Sequence, residues 1–216
     1  VAKEWSFMEN RAEKITRLLK EEYPDSLCSL EYTDPFHLLV SVRLAAQCTD
    51  ARVNLIMPAL MQAYPTPQAM AAADVAHVEK LVHSCGFYRA KARDIVTMAG
   101  QLCTRHGGQV PQGMDELTAL QGVGRKTANL IRGDVFDLPA IVVDTHCIRI
   151  TNLLGLTDTK NPAKVEQQLL AVLDPAESND FCHRLVLHGR AVCIARRPQC
   201  GACVLAGECD FAQQLS

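Results

Sequence analysis

An all-α fold is predicted by three observations. Apolar residues recur at helical spacing along most of the chain, capping residues and prolines stand where helices would begin, and alternating strand patterns are nearly absent. The one exception is the short run AIVV before Asp144. With 216 residues, 48% of them hydrophobic, the chain can bury a full core in one large domain or two small ones.

In chain order, an amphipathic helix is expected over residues 7 to 22. YTDPFHLLVSVRLAAQ follows, with Asp34 as cap and Pro35 at the first helical position. Thr49 or Asp50 caps ARVNLIMPALMQAY, in which Pro58 predicts a kink or a stop. Thr66 and Pro67 open a short helix, and Asp74 opens another that runs to Gly86. YRAKARDIVTMAGQLCTRH forms a longer helix stopped by Gly107 and Gly108. MDELTAL and RKTANLIRGDV flank the tight hairpin QGVG, and DTHCIRITNLLG, PAKVEQQLLAVL and NDFCHRLVLHGRAV supply three more helices.

Composition narrows the function. The 22 basic and 24 acidic side chains give a net charge of -2, so a nucleic acid could be met only by a local basic patch. Aromatic residues at 5%, with one tryptophan, argue against a stacking platform for single strands. No apolar run reaches a membrane span, and the charged start VAKEWSFMENRAEK does not read as a signal peptide, so a cytoplasmic protein is expected. Ten cysteines in such a chain point to metal ligation, catalysis or plain burial rather than disulfides.

The hairpin sits in ALQGVGRKTANL, residues 119 to 130. Gly122 and Gly124 around Val123 permit a tight turn and close approach of a partner to the backbone. The following helix start offers unpaired N–H groups fit for a phosphate. A GxG turn alone is more often a plain helix–helix connection, but Arg125 and Lys126 place cations at the same N–H groups. The helix N-terminus and Arg125 both disfavour the ammonium form of Lys126, which favours a nucleophilic amine able to form a Schiff base. Such chemistry needs a carboxylate, and Asp144, 18 residues on, stands at an expected N-cap where it could equally be only a cap.

Near the carboxyl end, Cys193, Cys200, Cys203 and Cys209 follow a C-x6-C-x2-C-x5-C pattern on a segment broken by Pro198, Gly201 and Gly207. Four thiolates so spaced can wrap one metal centre, and sulfur-only ligation suits zinc or an iron–sulfur cluster alike. Cys28, Cys48, Cys85, Cys103, Cys147 and Cys182 lie among apolar neighbours and read as small core residues. Arg190, Arg196 and Arg197 flank or occupy the first inter-ligand loop, as a solvated face or as a rigid phosphate contact.

From about Phe36 to Cys209 the chain carries LAAQCTD, CGFYRAKA, LQGVGRKTAN, VVDTHCIRI, LHGRAVCIARRPQC and the four-cysteine spacing, in that order. In these six motifs it resembles the endonuclease III family, base-excision DNA glycosylases of the helix-hairpin-helix superfamily. The resemblance implies a six-helix domain over residues 28–138 bearing the hairpin. A second domain would be formed by residues 1–27 and 139–216, with a DNA cleft between the two. It implies a [4Fe-4S] cluster on the four cysteines, which decides for iron over zinc. Lys126 would attack C1′ of a flipped-out nucleoside, and Asp144 would help charge the nucleophile and stabilise the sugar cation.

By the same resemblance Gln47 would fill the gap left by the flipped nucleotide and Phe87 would wedge beside the opposite base. Lys91, Gly122, Val123, Gly124, Arg125, Thr127, His146, Arg190, Arg196 and Arg197 would also contact duplex DNA. The implied activity is that of a monomeric, bifunctional glycosylase and lyase for oxidised pyrimidines. A sister enzyme for a pyrimidine dimer or a mismatched thymine is the nearest rival. A non-catalytic DNA-binding or redox-sensing module is the other, and Lys126 with Asp144 argues against it. The chain departs from the usual family pattern at Gln121 for proline, Thr118 for glutamate, Phe87 for an aliphatic residue and Leu153 for arginine, and in GDVFD, residues 133 to 137.

Overall fold

The computed structural model describes residues 2–26 and 28–215, with only the backbone described for residues 2–10. Among these the chain is helical without a strand, as the capping pattern predicts. It divides into two compact units, one of residues 2–26 with 137–215 and one of residues 28–136. No helix among the described residues is long and apolar enough to cross a membrane.

Helix α1 spans Ala2–Glu22 and belongs to the first unit. The second unit contains α2 (Pro35–Ala45), α3 (Asp50–Ala63), α4 (Pro67–Ala71), α5 (Val75–Leu81), α6 (Tyr88–His106), α7 (Met114–Thr118) and α8 (Arg125–Phe136). These are seven helical segments where the resemblance implies six.

The predicted caps form. Asp34 accepts from the His37 N–H at 2.9 Å, Thr49 from Arg52 at 3.3 Å, Thr66 from Ala69 at 3.2 Å and Asp74 from Ala76 at 3.1 Å. Pro58 does not stop α3, which continues five residues beyond it to Ala63. The helix opened by Asp74 ends at Leu81, short of Gly86, and the backbone turns through residues 82–87 before α6 starts.

The core of this unit is built from Leu38, Leu39 and Leu44 of α2, Met57 and Leu60 of α3, Met70 of α4, and Ile95, Met98 and Leu102 of α6, all essentially inaccessible. Ala128 and Ile131 fix α8 to it, so the start of α8 is carried on a rigid base. Each buried Leu, Ile or Met contributes about 1.5–3 kcal/mol of burial.

In the first unit, α9 (Thr145–Leu153), α10 (Pro162–Leu170), α11 (Ser178–Ala191) and α12 (Asp210–Gln213) join α1. Helix α11 packs on α1 and α9, and Phe181, Leu185, Ile15, Leu19 and Ile150 of these helices are buried. The run AIVV is buried but forms no ladder, since there is no strand among the described residues to pair with it. Its Ala140 N–H is satisfied instead by Ser178 Oγ at 3.1 Å. Buried Arg184 pairs with Glu177 at 3.2 Å and Asp180 at 2.9 Å, and its Nε donates to the Tyr23 carbonyl. Arg11 ties α1 to the last loop by donating to the Glu208 carbonyl from Nε at 3.0 Å.

Candidate functional site

In the unit of residues 28–136, the hairpin joins α7 to α8 through a tight turn closed by the Val123 N–H on the Leu120 carbonyl at 3.1 Å. Gly122 has φ +75° and could not carry a side chain without meeting Arg43, whose Nε and Cδ would lie 2.7 and 2.8 Å from the added carbon. Gly124, by contrast, has nothing within 4 Å of its missing side chain. Val123 is buried and pins the turn, while Gly122, Gly124, Arg125 and Lys126 are exposed and Thr127 is half-buried. The first turn of α8 therefore presents open backbone and two cations together.

Gln47 and Phe87, 40 residues apart in sequence, share an unusual backbone. Their φ angles are 55° and 58°, in the left-handed region that costs an ordinary residue about 1–2 kcal/mol. The two loops touch: a side-chain carbon on Gly86 would sit 3.4 Å from the Gln47 carbonyl oxygen. Phe87 is 70% exposed, which excludes the alternative of an ordinary core aromatic. Strain of this kind persists where surrounding structure over-determines it, and it gathers at functional sites.

Lys91 departs from expectation. It is 1% exposed, and its Nζ donates to the Leu44 carbonyl at the end of α2 at 2.8 Å. Burial lowers its pKa, and the position suits an internal helix cap rather than a phosphate contact. Two residues not singled out from sequence, Arg43 and Asp94, form a half-buried ion pair beneath the hairpin. The two are 51 residues apart, so no local pattern signals the pairing.

In the other unit, Asp144 caps α9. Its Oδ1 accepts the Cys147 N–H at 2.7 Å, and its Oδ2 lies 3.2 Å from His146 Nδ1. The carboxylate is thus oriented by two groups of its own helix and remains 16% exposed. The half-buried His146 ring lies on Gly189, where an added carbon would come within 2.5 Å of its Cδ2. Arg190, Arg196 and Arg197 are exposed.

The four cysteines of the carboxyl-terminal pattern line one small pocket, together with Ile150, Leu154, Val192 and Leu205. His188 and Gln199 also line the pocket, but the four thiols are its main donors. Four thiols around one cavity are a donor set that an iron–sulfur cluster fits. Arg149 donates to Cys193 Sγ at 3.2 Å and to its carbonyl at 2.7 Å, and Cys203 Sγ lies 3.4 Å from His188 Nε2.

Burial, and then the neighbouring thiolates, push the Cys203 and Cys209 thiols up, so a bound cation would have to displace their protons. Burial and Arg149 hold His188 at about 4, which leaves its ring neutral near pH 7. Arg149 and His188 escape sequence reading because they lie 44 and 15 residues from the cysteines they meet. Of the six remaining cysteines, Cys85, Cys147 and Cys182 are buried and Cys28, Cys48 and Cys103 are half-buried, all with free thiols.

Residues 40–175 match the model of the HhH-GPD superfamily base excision DNA repair proteins. Residues 193–209, the four-cysteine segment, match the iron-sulfur binding domain of endonuclease III. The chain is 44% identical to Endonuclease III of Synechocystis sp. over 204 residues, covering 94% of this chain and 93% of the relative. It is 40% identical to Endonuclease III of Escherichia coli (strain K12) over 206 residues, covering 95% and 97%. Among solved structures, a trapped endonuclease III–DNA covalent intermediate superposes with a TM-score of 0.89 at 36% identity, covering 96% of this chain and 98% of the other. A thermostable thymine-DNA glycosylase shares the fold, with a TM-score of 0.85 at 18% identity and coverage of 95% and 98%.

Proposed function

Because the chain belongs to the endonuclease III family of helix-hairpin-helix base-excision proteins, and is a DNA glycosylase of that type, we propose that it removes oxidised pyrimidines from duplex DNA and then nicks the abasic strand. The observation that carries this reading is Lys126: an exposed amine at the second residue of α8, directly after a turn whose Gly124 faces open space. In this reading the protein acts as a cytoplasmic monomer on DNA holding damaged or abasic sites.

Binding begins with phosphate held on the N–H groups and cations of the hairpin, with Arg190, Arg196 and Arg197 as further contacts. Extruding a base costs a few kcal/mol, least for a damaged pair. Gln47 and Phe87, fixed in their left-handed conformations, would occupy the space the base vacates and hold it open. Lys126 Nζ then attacks C1′, the glycosidic bond breaks, and the base leaves with its electron pair and a proton. Asp144, oriented by the Cys147 N–H and His146, stabilises positive charge on the sugar and receives a proton from the amine. Opening of the sugar leaves a Schiff base on Lys126. Loss of the C2′ proton expels the 3′ phosphate, so one amine serves both activities.

The chain carries a [4Fe-4S] cluster, for which Cys193, Cys200, Cys203 and Cys209 are the proposed ligands. When bound it supplies a cross-link for the carboxyl-terminal loop and a centre able to change oxidation state. Arg149 and His188 act there by fixing Cys193 and Cys203 in place.

Borohydride reduction in the presence of thymine-glycol or abasic duplex should trap a covalent complex, and Lys126→Gln should abolish it. An adduct that still forms on the Lys126 variant overturns the nucleophile. A panel of duplexes with defined lesions, read for base release and for nicking, separates oxidised pyrimidines from pyrimidine dimers and mismatched thymine.

A further inference from the structure

The turn between Leu120 and Val123 has the geometry of a type II turn. Its third residue, Gly122, lies at φ +75°, its second, Gln121, is not among the residues of positive φ, and the closing bond from Val123 to Leu120 is 3.1 Å. In such a turn the second position favours proline, whose ring pre-sets φ near -65°. Gln121 lacks that constraint. Its backbone N–H, which a proline could not offer, donates to Gln101 Oε1 at 2.6 Å, and its side-chain Nε2 donates to Asp94 Oδ1 at 2.9 Å.

Both acceptors stand on α6, and Arg105 of the same helix donates to the Ala119 carbonyl at 3.5 Å. Residues 94, 101 and 105 are spaced by seven and four, so they share one helical face. Asp94 is fixed in turn, because Arg43 Nε donates to its Oδ2 at 2.9 Å while Arg43 lies where a side chain on Gly122 would stand. Arg43 and Asp94 are only 18% and 17% exposed, so this pair is better shielded than a surface bridge. The turn is thus gripped at residues 119, 121 and 122 by groups from α2 and α6, immediately before the helix that begins Arg125-Lys126.

We propose that Gln121 is a positioning residue, and that the Arg43–Asp94–Gln121 clamp does for this turn what a proline ring would do: it holds the hairpin so that Lys126 meets the sugar carbon in one fixed geometry. The inference rests on the reading of Lys126 as the nucleophile. A loose turn leaves the amine chemically intact but spreads its position, and misplacement of a reacting group by about an ångström can slow a reaction up to roughly a hundredfold.

The experiment is single-turnover borohydride trapping on abasic duplex, with DNA affinity and thermal stability measured for each variant. Gln121 is exposed, so Gln121→Ala is expected to fold. It should trap about tenfold more slowly than wild type while binding abasic DNA within about twofold, a split that a merely structural role would not produce. Gln121→Pro, which loses both hydrogen bonds but restores a fixed φ, should return to within about threefold of the wild-type rate. Asp94→Asn alone should slow trapping, and should add nothing further to Gln121→Ala if the two act through one contact. Trapping by Gln121→Ala at the wild-type rate, or a proline variant no faster than the alanine one, overturns the proposal. Wild-type protein that fails to trap overturns the Lys126 reading itself, whereas normal wild-type trapping with indifferent Gln121 variants overturns only the clamp.

Discussion

Substituting the two hairpin glycines by alanine should have opposite consequences, because they face different surroundings. At Gly122 the added carbon must adopt φ +75°, which costs about 1–2 kcal/mol for an L-residue. It must also push aside Arg43, whose Nε and Cδ lie 2.7 and 2.8 Å away. Those atoms belong to a flexible side chain and could yield, but Arg43 is held by Asp94, so movement weakens a charge-assisted bond worth about 1.5–3 kcal/mol. Together the two effects give a loss of about 2–4 kcal/mol, or roughly 5–15 °C in Tm for a chain of this size. At Gly124 the added carbon meets nothing within 4 Å, so stability should stay within about 0.5 kcal/mol. The methyl group there would instead hold a phosphate away from the N–H groups of α8. Thermal melts and fluorescence-anisotropy titrations with an abasic duplex test both. Gly122→Ala should melt early, and Gly124→Ala should melt normally but bind DNA at least about tenfold more weakly, by loss of charge-assisted phosphate hydrogen bonds. A stable Gly122→Ala protein, or a Gly124→Ala protein with unchanged affinity, refutes the division of labour.

The buried position of Lys91 predicts that Lys91→Met changes stability by about 1–2 kcal/mol, through the unpaired Leu44 carbonyl, and leaves the salt dependence of DNA binding alone. A slope reduced by about one would return Lys91 to the phosphate contacts. Phe87→Gly should relieve the left-handed strain and raise stability by about 0.5–1 kcal/mol, yet slow base release from paired duplexes; equal or faster release would remove the wedge. Glu177 has its pKa lowered first by the Lys20 hydrogen bond, with Arg184 also contributing. A depressed carboxylate stabilises the fold above its unfolded value, and that contribution is lost as the pH falls through the folded one. Glu177→Gln should therefore be less stable than wild type at about pH 7, and the difference should shrink as the pH falls below the ordinary carboxylate range, as urea melts would read.

What the sequence makes legible is mostly local. Asp34, Thr66, Asp74 and Asp144 cap the helices that their positions announce, because a cap is an interaction between residues two or three apart. The cysteine pattern is legible for the same reason: its four sulfurs lie on one short segment and line one pocket. The AIVV run shows where local reading fails, since β-propensity cannot report that the described residues hold no partner strand.

Lys91 shows a signal present but outranked. It falls on the stripe of Ile95, Met98 and Leu102 at intervals of four, three and four, which is the buried face of α6. That periodicity outweighs its charge, because a lysine can enter a core when a carbonyl waits for it, and the carbonyl here comes from Leu44, 47 residues away. The same limit explains Gln121. A glutamine in a glycine-rich turn looks like a neutral polar filler until Asp94 and Gln101 are brought under it from α6. The proposed nucleophile, Lys126, is thus announced by the motif around it, while the groups that hold its hairpin in place come from helices the motif does not include. Functional differences within such a fold should therefore be sought first in pairs like Arg43 and Asp94, where two distant substitutions must agree before either has an effect.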